Sequence, residues 1–259
     1  MAGLRVSDRD LGVLLDLYNN VFLAFYQIKD IHFKNRAKPT VYNRLSKLTK
    51  SGLIGVLSVN LKAHHRHHED VGVLYKITKQ GLLVLKTYFP QLKFRDESAP
   101  INMGALFHDL ILTDVLRKLK TSFRDCEIIN SKVEQKTNGL LTKLPDAVMK
   151  NTKSGVETAI EIELTAKSEK RYRDIVLNYR MDSRFKNVLY IVSNTAIRGK
   201  IGGIVTGFKN NYKAQDDTGK FYFATIQNVF LQNSSINFDN GKNSFCTKPN
   251  EGMQRLEVI

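Results

Sequence analysis

Two short acidic stretches constrain this chain more than anything else in it. Leu144, Pro145, Asp146, Ala147 and Val148 form the first; Ala159, Ile160, Glu161, Ile162, Glu163 and Leu164 form the second. In the second, apolar residues alternate with acids, the period-two pattern of a strand with two different faces. Glu157, Glu161 and Glu163 share one face; Ile160, Ile162 and Leu164 share the other, which is expected to be the core. Asp146 follows a proline and precedes an apolar pair, which suits the start or exposed edge of a neighbouring strand. Like charges close together on a strand face repel, by roughly 0.2–1 kcal/mol per pair. Two arrangements relieve that cost. Either a Mg²⁺ ion sits among the acids, or the acids pair with Lys167, Lys170 and Arg171 of the basic segment that follows.

The surrounding protein is strongly basic. Lys and Arg number 40 against 25 Asp and Glu, a net charge of +15 in 259 residues. The excess is spread along the chain, with 16 basic against 8 acidic residues up to Glu97 and 24 against 17 beyond it. A polyanionic partner follows, and nucleic acid is the natural one. Cys126 and Cys246 offer neither metal-finger spacing nor a disulfide framework. No apolar run approaches the roughly 18–20 residues of a membrane span, and the N-terminus lacks a signal-peptide pattern. A cytoplasmic protein with no membrane partner is expected.

Ser7 can cap a first helix, with Asp8 and Asp10 in its opening turn. A second apolar helix is expected from 21 to about 28, and a third over 40–51, closed by Gly52. Val41, Leu45 and Leu48 form the apolar side of the third; Tyr42, Asn43, Arg44, Lys47 and Lys50 form its polar side. Strands are expected over 53–59 and 73–78, with Lys62, Arg66 and four histidines (His64, His65, His67, His68) between them. Thr78 and Gly81 then open a fourth helix. This pattern, over about 5–90, resembles a winged helix-turn-helix domain. The resemblance implies that the third helix enters the major groove of double-stranded DNA and the hairpin tip acts as a wing. Asn and Arg bond base edges and lysines neutralise phosphates. Tyr42, Asn43, Arg44, Lys47, Lys50, Lys62 and Arg66 are the DNA-binding candidates; the competing reading is a merely solvated polar face.

Residues 91–101 read as a linker, 102–232 as a second domain and 233–259 as a loosely held C-terminal tail. The second domain is expected as a helix over 103–121, strands at 126–131, 140–149 and 158–164, a basic helix over 168–181, a strand at 188–193, a glycine-weakened helix over 197–208 and a strand at 221–225. With Pro145-Asp146 in its second strand, acids in its third and a basic helix next, this order resembles the PD-(D/E)xK, restriction-endonuclease-like fold. The expected fold class is therefore α+β, a winged helix-turn-helix followed by that α/β domain. The pairing of the two resembles the replication-relaxation family, which includes MobC-type relaxases of mobilisable plasmids.

The resemblance implies a Mg²⁺ (or Mn²⁺) ion held by Asp146 and Glu161, with Asp114 as an upstream acid and His108 as its neighbour. It implies metal-dependent nicking of DNA, locally melted at an origin, in plasmid or mobile-element mobilisation, beside other relaxosome or transfer proteins. The chain departs from the family pattern where a catalytic lysine is expected: that position holds Glu163. Glu163 itself, or Lys167 or Lys170 reaching back, can fill the role; otherwise the domain binds DNA without cleaving it, as a replication or transcription regulator. A repair or defence nuclease is a third reading. Tyr172 and Tyr179 are candidates for a tyrosyl nucleophile or for packing. Lys170, Arg171, Arg173 and Arg180 are read as phosphate contacts. No heptad seam points to an oligomer.

The histidine cluster has no regular metal-ligand spacing, so it reads as pH-dependent positive charge near phosphate. DNA affinity, followed by fluorescence anisotropy, is expected to tighten between about pH 7.5 and 6; an unchanged affinity would refute that role.

Overall fold

The computed structural model describes residues 4–58, 73–94, 100–123, 125–134, 144–211, 217–231, 236–241 and 244–246. The chain divides into two compact units between Thr113 and Asp114. Helices and strands are mixed in both, and the larger sheet is itself mixed, which is compatible with the expected α+β class.

The first unit begins with α1 (Asp8–Asn20). Its capping box closes both ways: the Asp10 carboxylate accepts the Ser7 N–H at 2.8 Å, and Ser7 Oγ accepts from the Asp10 N–H. The expected unbroken second helix is corrected. Val21 takes a φ of 69°, Leu23 and Ala24 form strand β1 (Leu23–Ala24), and only then does α2 (Phe25–His32) start. Leu23 and Ala24 are fully buried and pair antiparallel with Tyr75 and Leu74, so sheet hydrogen bonding wins over local helical preference.

Helix α3 (Lys38–Lys50) carries Pro39 in its first turn, where a missing N–H costs nothing, and Gly52 follows it at φ 71°. Strands β2 (Ile54–Ser58) and β3 (Val73–Ile77) pair antiparallel, giving the sheet order β1-β3-β2. Thr78 caps α4 (Lys79–Tyr88) by accepting from the Gly81 N–H at 3.1 Å. A Cβ on Gly81 would lie 2.2 Å from the Leu53 carbonyl oxygen, so only glycine permits α4 to pack this closely. The Thr78-to-Gly81 signal thus encodes a cap and a backbone approach together.

A 3₁₀ turn (Met103–Ala105) leads into α5 (Leu106–Ser122), and the division between units falls inside this helix. The expected boundary at 91–101 is therefore displaced. Leu106 and Leu110 are buried with Val21, Phe22 and Leu74, and Gln27 Nε2 donates to the Leu110 carbonyl at 3.1 Å. Apolar contact ties the start of α5 to the first unit more firmly than the proline-flanked segment separates it.

The second unit contains β4 (Cys126–Asn130), α6 (Ser131–Glu134), β5 (Ala147–Asn151), β6 (Glu157–Glu163), α7 (Glu169–Met181), β7 (Phe185–Val192), α8 (Thr195–Asn211), β8 (Phe221–Thr225), α9 (Ile226–Phe230), β9 (Asn237–Asp239) and β10 (Ser244–Cys246). The first part of the strand expected over 140–149 lies outside the described residues. The sheet order is β10-β9-β8-β7-β6-β5-β4. β4, β5 and β6 are mutually antiparallel; β6, β7 and β8 run parallel, joined through α7 and α8. One sheet face, with Val148, Ala159, Val188 and Phe221, packs against Tyr172 and Val176 of α7 and Ile201 and Ile204 of α8. The glycines of α8 do not break it, because Ile197, Ile201, Ile204 and Val205 keep a helical stripe in that core. The expected tail is corrected in part: Ile236 and Phe238 are fully buried, and β9 joins the sheet beside β8. Residues 247–259 lie outside the described residues.

The Asp10–Arg44 pair locks α1 to α3. Arg44 Nε donates to Asp10 Oδ1 at 2.9 Å, Nη2 bonds the other carboxylate oxygen, and Nη2 also donates to the Arg5 carbonyl at 2.9 Å. Burial alone would raise the Asp10 pKa, but hydrogen bonds from Arg44 and Ser7 outweigh it and hold Asp10 below the usual carboxylate range. A depressed carboxylate pKa contributes stability above its unfolded value that is lost as pH falls through the folded one. Arg44→Ala should lower the unfolding free energy by about 3 kcal/mol at neutral pH, since Asp10 is left buried without its cation. The deficit should shrink as pH falls below the ordinary Asp value of 3.8. Urea unfolding at several pH values measures both.

Candidate functional site

The acidic residues converge through strand register. β5 and β6 pair Ala147 with Ile160, so the next antiparallel position sets Asp146 opposite Glu161. β6 and β7 pair Glu161 with Tyr190. On the other side, the Ser131 N–H donates to the Asp146 carbonyl at 3.1 Å. Ser131, Asp146, Glu161 and Tyr190 thus form one row across four strands or strand ends. Asp146 is half-buried, and its Oδ2 accepts the Ile162 N–H at 2.8 Å. That bond fixes the aspartate beside the glutamate.

The two faces of β6 carry the residues expected, but both are buried and the acids do not lie on a solvent face. Alternation puts Glu161 and Glu163 on the side of Ala159, the side covered by α7 and α8. Glu161 is 2% exposed and Glu163 1%, while Ile160 and Ile162 are buried on the opposite face. Only Glu157, at the strand start, keeps a half-buried position, with Arg184 at 3.6 Å. The reason is that parallel pairing to β7 through α7 covers this face, which alternation in one strand cannot reveal.

Helix α7 supplies the donors that make such burial tolerable. The Tyr179 hydroxyl donates to Glu161 Oε1. Lys167 Nζ pairs with Glu163 Oε1, and the Tyr172 hydroxyl accepts the Lys167 N–H at 3.2 Å while facing Glu163. Of the proposed ion-pair partners, Lys167 is therefore the one the fold uses; Lys170 and Arg171 are exposed. Burial first, and Glu161 next, push the Tyr179 phenol far above its ordinary range; burial also raises Tyr172. Phenolate is disfavoured at both, and both face carboxylates. The geometry fits them to donor and packing roles, not to that of a nucleophile.

Tyr190 is different. It is fully buried between α7 and the sheet, stacked near Phe223 at 5.6 Å, yet among the described residues its hydroxyl has no hydrogen-bond partner. Ser131 Oγ, at the other end of the row, is likewise buried and unpaired. Sequence reasoning missed both. Tyr190 sits in an apolar β run and reads as core; only register sets it beside an acid.

Asp114 is nearly buried on α5, with Arg117 4.0 Å away. Among the described residues, no group of three or more His, Cys, Asp or Glu is gathered as a metal site. His108 lies 3.4 Å from Asp109. Of the acids expected from sequence to hold a metal, Asp146 and Glu161 are set side by side by strand register. Two carboxylate oxygens fit Mg²⁺ or Mn²⁺, because these ions keep several waters and commonly take one or two protein carboxylates.

The DNA-binding candidates separate into exposed and internal groups. Asn43, Lys47 and Lys50 are exposed on α3, and Tyr42, 45% exposed, stacks on Phe25 at 4.0 Å. Arg44 is engaged within the unit, its guanidinium bonded to Asp10 and to the Arg5 carbonyl. Arg180 is likewise engaged: it donates to the Val205 carbonyl at 3.1 Å and lies over Phe208, bracing α7 against α8. Lys170 and Arg171 are exposed, and Arg173 is exposed beside Glu169 at 2.6 Å. Lys62, Arg66 and the histidines lie outside the described residues. Arg5 and Arg9, not singled out from sequence, line a cavity of ≈ 370 Å³ with Ser7, Phe33, Thr40 and Arg44. Among the described residues, no helix is long and apolar enough to cross a membrane.

Compared with protein-family models, with curated proteins and with solved structures, the chain matches none.

Tyr179→Phe removes a donor from a buried carboxylate. It should destabilise the protein by about 1–3 kcal/mol in a urea melt. A variant as stable as the parent would show that the Tyr179–Glu161 bond does not hold α7 to the sheet.

Proposed function

We propose that this chain is a DNA-binding protein that nicks DNA with a divalent metal, a relaxase-like endonuclease of plasmid or mobile-element mobilisation or replication. The first unit has the order helix–strand–helix–helix–strand–strand–helix and a three-stranded sheet, which supports the winged helix-turn-helix reading. On that reading α3 presents Asn43 to base edges and Lys47 and Lys50 to phosphates. The second unit has a helix, three antiparallel strands with the short α6 after the first, a helix and a parallel strand, which supports the PD-(D/E)xK-like reading.

The observation that carries the proposal is the position of Asp146, just before β5, across from Glu161 of β6, each fixed by a hydrogen bond from the protein. A bound Mg²⁺ or Mn²⁺ supplies charge stabilisation for the phosphate and its leaving oxygen. The chain's own groups hold the ligands in place. The Ile162 N–H orients Asp146, Tyr179 orients Glu161, and Lys167 pairs with Glu163. Lys167, engaged with Glu163, serves as an orienting group.

One observation favours a second reading. Glu161 and Glu163 are almost wholly covered by α7 and already bonded by the chain's own donors, as expected of a non-catalytic regulator that keeps the fold. Nicking of supercoiled DNA carrying the cognate origin, with Mg²⁺ or Mn²⁺, separates the two. Asp146→Ala and Glu161→Ala should abolish relaxed circle while leaving DNA affinity within about 2-fold. Lys47→Ala should weaken binding and flatten its salt dependence by about one unit of slope. Tight binding of cognate DNA by the parent with no nicking would establish the regulator instead.

A further inference from the structure

Three phenols meet the β6 acids, and they are not equivalent. Tyr179 donates to Glu161, and Tyr172 faces Glu163. Tyr190 is paired with Glu161 in the parallel register, is 0% exposed, and gives its hydroxyl to nothing among the described residues. A buried hydroxyl without a partner is costly, and folded proteins seldom keep one without a use. Its ring is held by Phe221 and Phe223, so packing accounts for the ring but not for the oxygen. Phenylalanine would pack equally well.

We propose that Tyr190 is a positioning residue for a hydrated divalent cation at Asp146 and Glu161, its hydroxyl accepting a hydrogen bond from a water carried by that ion. This rests on the metal reading above and adds a residue to it. The chemistry suits a phenol. Mg²⁺ and Mn²⁺ retain waters, whose hydrogens need acceptors, and a tyrosine oxygen both accepts and donates. Tyr190 flanks Glu161 on the side opposite Asp146, so the row would hold the ion's ligands together with one support for its water shell.

The test uses the full-length protein and Mn²⁺ alone, with two readouts that do not require DNA. Mn²⁺ binding is followed by calorimetry, and melting temperature is measured with and without the ion. Tyr190→Phe should melt at the parent's temperature or higher without metal, because it removes only an unsatisfied hydroxyl. It should bind Mn²⁺ roughly 10-fold or more weakly, the usual consequence of losing a group that supports a metal site from outside its ligands. Its Mn²⁺-induced rise in melting temperature should shrink accordingly. A purely structural Tyr190 predicts the reverse: a lower metal-free melting temperature and unchanged Mn²⁺ affinity. Asp146→Asn separates the layers of the argument. If it loses Mn²⁺ binding while Tyr190→Phe binds as the parent does, the Tyr190 inference is overturned and the metal reading stands. If the parent shows no saturable Mn²⁺ binding, or Asp146→Asn retains it in full, both are overturned.

Discussion

Glu161 and Glu163 are taken out of water on the same strand, under the same helix, and the second unit is arranged around that fact. An isolated carboxylate in a protein interior would protonate or unfold its surroundings. Here α7 carries Tyr172 and Tyr179 to the acids, and Lys167 folds back from the segment before the helix. The same residues that fill the core thus satisfy the charges. The position of α7 over the sheet is consequently fixed by polar bonds as well as by Ile175 and Val176. It also confines access to the acids, so the half-buried Asp146 is the more approachable member of its cross-strand pair.

A similar economy operates in the first unit. Asp10 serves the capping box of α1 and the salt bridge to Arg44 with one carboxylate. The pairing withdraws Arg44 from the polar side of α3 and leaves Asn43, Lys47 and Lys50 as its outward groups. Arg180 is withdrawn in the same manner from α7, through Val205 and Phe208. A basic residue on an amphipathic helix is therefore not automatically a phosphate contact. Its long side chain can reach a buried acid or a carbonyl of the next helix, and that reach depends on neighbours distant in sequence.

Much of the layout was legible in the chain. The helices α1, α3, α4, α5 and α7 and the strands β2, β3, β4, β6, β7 and β8 fall where caps, glycines and periodicity put them, within a few residues. Local rules suffice there because cap, period and terminator agree over a single element. They failed at β1, where two residues leave the helical pattern to pair with a strand fifty positions away, and at β9, where a polar segment hides two buried apolar residues. They failed also at the end of the first unit, because Leu106 and Leu110 choose their neighbours by contact and not by distance from a linker.

The sequence by itself determined that Asp146 and the β6 glutamates stand on neighbouring strands, with a basic helix next, because alternation, turn residues and chain order are local properties. Only the tertiary structure decided what surrounds them. It covered the acid face with α7, matched Glu161 and Glu163 to donors, engaged Arg44 and Arg180 inside their units and set the Tyr190 hydroxyl, unpaired among the described residues, beside Glu161 in register. The physical reason is that register, burial and the direction of a long side chain are fixed by contacts between elements. A period of two shows that a strand has two faces; which of them meets a helix is decided by the packing of the whole unit.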